Sequence, residues 1–404
     1  MEGIMATIGL EMPIDTTFLS EVIYEGILFA MSRAKTQGFS LTEVKLQDDF
    51  MNEVYKSLDD EKIGDITIVF TGNDKVDKIL DEVGISERPV KKTYREFLKV
   101  LKNNASLIKY NPRIEVKPKL KERKLGIDVD GKRDLATPQL FKVDRYTGIS
   151  SLEQGLFSEQ IGLRSSADLI LIGMLGIYSS HVVTVRQQGS TYHCFLFFSP
   201  EEIMNLLGMG DIELLRNYFA VKNVAAEHLK EVLKSSTMNE LLILEVLLYE
   251  GLRRSMIENN LDKMNMMLFK ISPEGQTYKI YEIVPILIMK TPAFYQMLGR
   301  YTRYPDKVCE VLSHALRPGG SMLNALRSFG LRRGKFEEAD LVLRGVQSLY
   351  RFIVLGDSQG LLDFLNYLRC SYELLEGEKA KGKNKRRMKE YLYILREMEY
   401  ALRG

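Results

Sequence analysis

The sequence predicts an α+β protein, with a mixed N-terminal region containing β-hairpins (residues 1–290) followed by an all-α helical-bundle C-terminal domain (residues 291–404). β-rich runs around Gly-containing turns recur along the first region and stop near residue 290. Beyond that point, apolar residues recur at three- and four-residue steps, which is typical of packed amphipathic helices. With 404 residues the chain is long enough for two or three domains.

The first third of the chain alternates helical and extended patterns. Apolar residues at helical spacing predict a helix over 19–62, and the run DITIVF predicts a strand over 65–70 that ends at the turn TGND, 71–74. A further helix is predicted over 93–107. The stretch RIEVKPKLKERK, 113–124, has the alternation of a strand and leads to a Gly- and Asp-rich loop or hairpin at 126–134.

The middle of the chain has the clearest local signals. A helix is predicted over 167–178, and a hairpin joins 181–186 to 191–198. Ser199 then begins a helix as N-cap, because Pro200 and two acidic residues follow it. Helices continue to about residue 260. A second hairpin follows, joining 266–271 to 278–284.

The C-terminal region is predicted to be helical throughout. The predicted helices cover 306–316, 320–329, 337–355, 359–375 and 385–402. In the fourth, one apolar stripe contains Leu361, Leu365, Leu368, Tyr372 and Leu375.

Composition points to a reducing, cytoplasmic setting. The three cysteines, Cys194, Cys309 and Cys370, have no zinc spacing and are expected to be buried thiols. No signal peptide is visible at the N-terminus. The most apolar stretch, 169–185, contains two serines and a histidine and is at the short limit for a membrane span, so core packing is the better interpretation.

Catalytic motifs are absent from the sequence. No phosphate-binding P-loop, nucleophile elbow or zinc-protease motif occurs, and no cofactor or metal is expected. Gly173 and Gly176 are interpreted as a close helix contact rather than a nucleotide loop. His181 and His193 could be neighbours across the first hairpin, but they lack a spaced carboxylate partner and are expected to be core or surface residues.

Asp128 and Asp130 form a D-x-D pair beside Gly131. Such a pair could hold a divalent metal ion, although next to a glycine it is more often a turn. The sequence therefore predicts a protein that is not an enzyme, with a metal-dependent nuclease using Asp128, Asp130 and a histidine as the alternative.

Positive charge is concentrated in one segment. Residues 88–124 contain 13 Lys or Arg and three acidic residues, a surplus of +10, whereas the whole chain has a net charge of only +2. Such unevenness is the electrostatic pattern of nucleic-acid binders. On a strand over 113–124, one face would carry the basic side chains about 6.6 Å apart, comparable to the phosphate spacing of a stretched single strand. Pro118 favours an edge strand because it lacks a ladder donor.

Lysines on an edge strand also prevent edge-to-edge aggregation, and that role needs no ligand. The size of the charge surplus favours nucleic-acid binding over edge protection.

Two further clusters give weaker signals for nucleic-acid binding. The segment GEKAKGKNKRRMK, 377–389, could be a solvated connector or a frayed helix start. The segment RYTRY, 300–304, could consist of helix-terminal residues or of groups that stack on bases. The candidate nucleic-acid-binding residues are Arg113, Lys117, Lys119, Lys121, Arg123, Lys124, Arg300, Arg303, Arg332, Arg333, Lys383, Lys385, Arg386 and Arg387.

The order of these parts resembles a known family. An α+β region with basic segments, the apolar block LILIGMLGIYSSHVVTV (169–185) and a C-terminal helical bundle are similar to the large subunit of archaeal type I-A CRISPR surveillance complexes. The paired-cysteine zinc motifs of some related large subunits are missing. The resemblance implies a non-catalytic subunit of a ribonucleoprotein that contacts the guide RNA 5′ end and the DNA flanking the target, binds other subunits and helps recruit a helicase–nuclease.

The leading hypothesis is thus a nucleic-acid-binding subunit, with guide RNA, target DNA and other subunits as partners and no membrane. A protein-interaction scaffold, in which the basic strand docks on an acidic protein surface, is the third alternative.

Overall fold

The computed structural model describes residues 5–11, 18–121, 124–128, 134–143, 162–187, 189–326, 336–377 and 382–403. About 60% of the described residues are in helices and 20% are in strands, with sheets in the N-terminal part and helices in the C-terminal part, which confirms the predicted α+β class. The chain forms two compact units. The first contains Met1–Phe219 and Asn265–Pro285, and the second contains Ala220–Met264 and Ile286–Gly404. Residues 220–264 therefore group with the C-terminal helices, whereas the sequence placed every residue before 291 in one domain.

The strands of the described chain form three four-stranded sheets. They are β1 (Met5–Leu10), β2 (Thr36–Phe39), β3 (Glu43–Gln47), β4 (Arg113–Val116), β5 (Pro118–Lys121), β6 (Lys124–Ile127), β7 (Leu135–Ala136), β8 (Gly162–Ser165), β9 (His181–Gln187), β10 (Ser190–Phe198), β11 (Lys263–Glu274) and β12 (Thr277–Met289). The sheet orders are β2-β3-β1-β4, β5-β6-β8-β7 and β12-β11-β10-β9.

The helices follow the predicted pattern most closely in the second half of the chain. They are α1 (Phe18–Arg33), α2 (Phe50–Lys56), α3 (Asp60–Asp65), α4 (Val76–Glu82), α5 (Tyr94–Asn103), α6 (Ala167–Ser180), α7 (Pro200–Met209), α8 (Ile212–Ser235), α9 (Asn239–Leu248), α10 (Glu250–Glu258), α11 (Ala293–Tyr301), α12 (Pro305–Leu316), α13 (Ser321–Leu326), α14 (Phe336–Leu355), α15 (Ser358–Gly377) and α16 (Lys383–Arg403). Single 3₁₀ turns occur at Ala105–Leu107 and Gln139–Lys142.

Local capping chemistry produces the helix starts that the sequence predicted. The Ser199 hydroxyl accepts a hydrogen bond from the Glu202 amide at 3.2 Å, with Pro200 at the first helical position. Thr93 caps α5 in the same way. Both predicted hairpins form: β9 pairs with β10 antiparallel, and β11 is followed by β12 after a turn in which Gly275 has a φ of +61°.

Two predictions for the first unit are wrong. The segment 19–62 is not one helix, because it contains the β2–β3 hairpin, in which Gly38 lies at a register shift. The run over 65–70 is not a strand of a sheet: within the described residues it forms one bridge, from Val69 to Thr93. Its alternation instead buries Ile66, Ile68 and Phe70 in the core.

The core of the first unit is built on α1 and α6. Nearly every residue of both helices is buried, so the apolar block 169–185 is core, as predicted. Gly173 lies in a close contact, because a Cβ there would be 2.6 Å from the Phe141 ring. In the described part of the chain, no helix is long and apolar enough to cross a membrane.

The cysteines have three different environments. Cys194 is buried, as predicted, Cys309 is partly buried and Cys370 is exposed, so the expectation of three buried thiols is wrong for Cys370. Burial raises the pKa of both Cys194 and Cys309 to about 12, which keeps these thiols protonated.

Candidate nucleic-acid interface

β4 and β5 carry the basic alternation along the exposed side of two successive edge strands. Ile114 and Val116 are buried, whereas Arg113, Lys117 and Lys119 are exposed, as the alternation predicted. β4 is the edge of the first sheet, and β5, which begins at Pro118, is the edge of the second sheet. The predicted single strand is therefore two strands joined at Lys117.

The chain reverses before the end of the predicted strand. β5 pairs with β6 antiparallel, and Lys121 lies opposite Lys124 in the register. The prediction that the basic residues continue along one strand from Lys117 to Arg123 is therefore wrong, because the backbone turns back after Lys121. Arg123 itself lies outside the described residues.

Acidic side chains accompany two of the exposed cations. Arg113 Nε lies 3.0 Å from Glu115 Oε1, and Lys117 Nζ lies 3.4 Å from Glu11 Oε2. All four side chains are at least 44% exposed, so each pair contributes at most about 1 kcal/mol and can exchange its carboxylate for a phosphate. Lys119 has no ion pair among the residues that the structure describes.

The charge surplus of the basic segment is smaller in the fold than in the sequence. Among the described residues, four acidic side chains from outside residues 88–124 pair with its cations and offset four of its ten surplus positive charges. They are Glu11, Asp60, Asp77 and Asp81. A substantial positive excess remains, and it includes the exposed Lys91, Lys92, Lys109 and Lys119.

Asp128 holds β4 in position. Its Oδ1 accepts a hydrogen bond from the Glu115 amide at 3.0 Å, and its Oδ2 accepts one from the Ser166 hydroxyl at 2.5 Å. Ser166 also caps α6. Burial raises the pKa of Asp128, and the two hydrogen bonds oppose that shift. Both carboxylate oxygens thus link β4 to the start of α6, and Asp130 lies outside the described residues.

Arg300 and Arg303 lie in a cluster of arginine and tyrosine in the second unit. Both arginines are exposed, and the buried Thr302 between them donates a hydrogen bond to the Ala401 carbonyl. Tyr304 and Tyr400 are 46% and 68% exposed, and their rings are nearly parallel, with centroids 6.4 Å apart and planes at 13°. Neither guanidinium group has an ion pair within the ranges that the structure describes. Exposed, nearly parallel tyrosine rings beside such groups are suited to stacking on bases.

A cavity of about 560 Å³ adjoins this cluster and is lined by Arg303 and Tyr304. Arg253 also lines it, with its guanidinium 5.0 Å from the centroid of the Tyr295 ring. Sequence reasoning missed Arg253, Tyr295 and Tyr400, because no local signal connects them to residues 300–304. The predicted residues Arg332 and Arg333 lie outside the described residues.

The basic cluster over 383–387 begins a helix rather than extending a loop. α16 starts at Lys383, and Lys385 and Arg386 are exposed. Arg387 has a structural contact: its Nη2 donates to Glu338 Oε2 at 2.7 Å, and Glu338 is 1% exposed. The Tyr391 hydroxyl donates to the other oxygen of Glu338 at 3.0 Å. The guanidinium of Arg387 therefore neutralises a buried carboxylate.

The two hairpin histidines are joined through Thr184. Its hydroxyl lies 2.9 Å from His193 Nδ1 and 3.3 Å from His181 Nε2. Burial lowers the pKa of His193 to about 4, so its imidazole is neutral at pH 7. In the described ranges, no group of three or more His, Cys, Asp or Glu side chains could hold a metal ion.

Comparison with known proteins identifies a relative that matches almost the whole of this chain. The chain is 39% identical over 398 residues to a protein of Archaeoglobus fulgidus, described only as "Uncharacterized protein", and the match covers 98% of this chain and 100% of that one. The chain therefore belongs to the same family as this archaeal protein. No protein-family model and no solved structure matches it.

Proposed function

We propose that this chain is a non-catalytic, nucleic-acid-binding subunit of an archaeal CRISPR ribonucleoprotein, the large subunit of a type I-A surveillance complex. In this role it contacts the guide RNA 5′ end and the DNA beside the target, works in the cytoplasm with other subunits and helps recruit a helicase–nuclease. The archaeal relative, which matches 98% of this chain, supports an archaeal setting.

The observation that carries the proposal is the exposed basic side of β4 and β5. Arg113, Lys117 and Lys119 are exposed along two edge strands, within a segment whose described ion pairs to outside residues offset only four of its ten surplus positive charges. Protecting a sheet edge needs only a few lysines. Lys119 is exposed and forms no salt bridge within the described residues, and its charge acts only at longer range on Asp128, so a phosphate could approach its ammonium group directly.

The arginine–tyrosine cluster supports a second contact. Arg300 and Arg303 can bind phosphate or a guanine edge, and Tyr304 with Tyr400 offers a stacking surface. The nuclease alternative has less support, because both oxygens of Asp128 accept hydrogen bonds that hold β4 and α6 together.

Binding to defined guide RNAs tests the proposal. The purified chain is titrated with an RNA carrying the repeat-derived 5′ flank of its host's CRISPR array, and with an RNA whose flank is scrambled. We expect at least ~10-fold tighter binding to the native flank and no cleavage in Mg²⁺ or Mn²⁺. Equal affinity for both RNAs would reject the guide 5′ role, and metal-dependent cleavage lost in Asp128→Asn would establish the nuclease instead.

A further inference from the structure

α15 and α16 each carry two apolar stripes, and only one stripe of each is buried. The buried residues are Leu361, Phe364, Leu368 and Leu375 of α15, and Tyr391, Ile394, Met398 and Ala401 of α16. A second stripe remains partly exposed on each helix; its residues are Leu362, Leu365, Leu392, Leu395 and Leu402. A helix of a folded domain normally has one apolar stripe, so a second one indicates a missing packing partner.

The second stripes line one groove between the two helices. Its volume is about 660 Å³, and it is lined from Gln359 to Glu373 on α15 and from Leu392 to Arg403 on α16. Consecutive helices joined by a short link pack antiparallel. Leucines line both walls, Leu362 and Leu365 within one turn of α15 and Leu392, Leu395 and Leu402 along α16. An apolar groove between two helices is a geometry that can receive a third helix.

Two arginines lie near the middle of the groove. Arg369 and Arg396 each lie near the centre of the lining stretch of their helix. Neither has an ion pair to another residue of the described ranges, whereas Arg403 at one end pairs with Glu399. Both arginines are exposed, and the lining also contains Glu373 and Glu399, of which Glu399 pairs with Arg403. The two central guanidinium groups favour a carboxylate from the occupant, whose helix would exclude water from the contact.

We infer that this groove binds an amphipathic α-helix of a partner protein, with leucine-type residues at i, i+3 or i+4 and i+7 and acidic residues at its centre. This inference is independent of the proposed nucleic-acid role, because it rests on the leucine stripes and on two arginines outside the basic segment. A polyanion would use the arginines but would leave the five leucines uncovered.

A charge-swap experiment tests the inference on the full chain. The probe is a fluorescein-labelled helical peptide of about 21 residues (~30 Å), with leucines at a and d and two central glutamates. A matched peptide has lysines in place of the glutamates. We expect saturable binding of the acidic peptide, weakened at least ~10-fold by Arg369→Glu with Arg396→Glu. The same double variant should prefer the lysine peptide.

A second variant tests the apolar floor. Leu365→Glu should weaken binding of both peptides, and Leu362→Glu should act in the same direction because both leucines line the groove. Since Leu362 is 53% exposed, we expect its replacement to preserve the fold. Arg344→Ala, on an exposed residue that does not line the groove, is the control and should leave binding of both peptides unchanged. Circular dichroism verifies folding. If the Leu365→Glu variant unfolds, the test rests on the charge swap between the two arginines and the peptide glutamates, since both arginines are exposed.

Three results would overturn the inference. The first is no saturable binding of the acidic peptide, and the second is binding that the groove variants leave unchanged. The third is a dimer of the chain that Leu365→Glu dissociates, because the occupant would then be a second copy rather than a partner protein.

Discussion

Gly26 and Gly176 face each other where α1 crosses α6, and neither position has room for a side chain. A Cβ on Gly26 would lie 2.0 Å from the Ile172 carbonyl oxygen, and one on Gly176 would lie 1.9 Å from the Val22 carbonyl oxygen. The two helices therefore touch backbone to backbone at the centre of the first unit. Because Ser166 at the start of α6 hydrogen-bonds Asp128, this crossing also supports β4.

Replacing Gly176 with alanine should destabilise the protein strongly. The added methyl group must displace backbone rather than a flexible side chain, so we expect a loss of at least ~3 kcal/mol in the free energy of unfolding. Gly26→Ala should have a similar effect. Gly64→Ala is the matched control, because nothing lies within 4 Å of its Cβ position. Urea unfolding measures the stability of all three variants. If Gly176→Ala were as stable as the Gly64→Ala control, the backbone-to-backbone contact between α1 and α6 would be contradicted.

Stability should fall with acidification partly through His193. Its folded-state pKa of about 4 lies below the ordinary 6.5, so between these values the unfolded chain binds more protons than the folded one. The stabilisation is complete above pH 6.5 and is lost as the pH falls toward 4, by at most about 3 kcal/mol. Urea unfolding at several pH values should give a shallower dependence for His193→Gln. An identical dependence in both proteins would count against burial of the neutral imidazole.

Arg387 should behave differently from its neighbour Arg386. Arg387→Ala leaves the carboxylate of Glu338 buried without its guanidinium, which we expect to cost about 3–5 kcal/mol of stability. Arg386 is exposed, and Arg386→Ala should change stability by less than ~0.5 kcal/mol. Thermal and denaturant unfolding compare the two. If Arg387→Ala and Arg386→Ala were equally stable, the contact of Arg387 with Glu338 would not be required for the fold, and Arg387 would be free to bind nucleic acid.

Tyr304 and Tyr400 should contribute to binding single strands through their rings. Tyr304→Ala and Tyr400→Ala should each weaken binding of a short oligonucleotide by about 1–3 kcal/mol, whereas the Tyr→Phe replacements should retain most of the affinity because the ring remains. Tyr393→Ala, also on an exposed tyrosine of α16, serves as the control. Fluorescence anisotropy gives the affinities, and a loss as large in Tyr304→Phe as in Tyr304→Ala would exclude stacking.

The features that the sequence predicted correctly are those with local causes. Ser199 and Pro200 define a helix start within four residues, and the alternation from Arg113 to Lys119 fixes which side chains face outward. The reversal between Lys121 and Lys124 was missed because KERK contains no Gly, Pro, Asn or Asp to signal a turn.

Contacts between segments that are distant in the sequence account for the other differences between the predicted and the observed structure. A count of charges over residues 88–124 cannot include Glu11 or Asp60, which the fold brings to Lys117 and Lys102. The pairing of Tyr304 with Tyr400 and the burial of Glu338 against Arg387 likewise depend on helix packing. These acidic partners from distant segments determine which basic side chains remain available to a ligand.

The salt dependence of nucleic-acid binding tests the central claim most directly. The affinity for a single-stranded oligonucleotide is measured from low to high salt for the native chain, for Arg113→Ala with Lys117→Ala and Lys119→Ala, and for a control that removes the exposed Lys56, Lys75 and Lys78. If the basic side of β4 and β5 holds phosphates, the first triple variant should lower the slope of log affinity against log salt by about 2, at ~0.7 per phosphate contact, and the control should leave it unchanged. An unchanged slope in the first variant, or equal losses in both, would contradict the assignment of these strands to nucleic-acid binding.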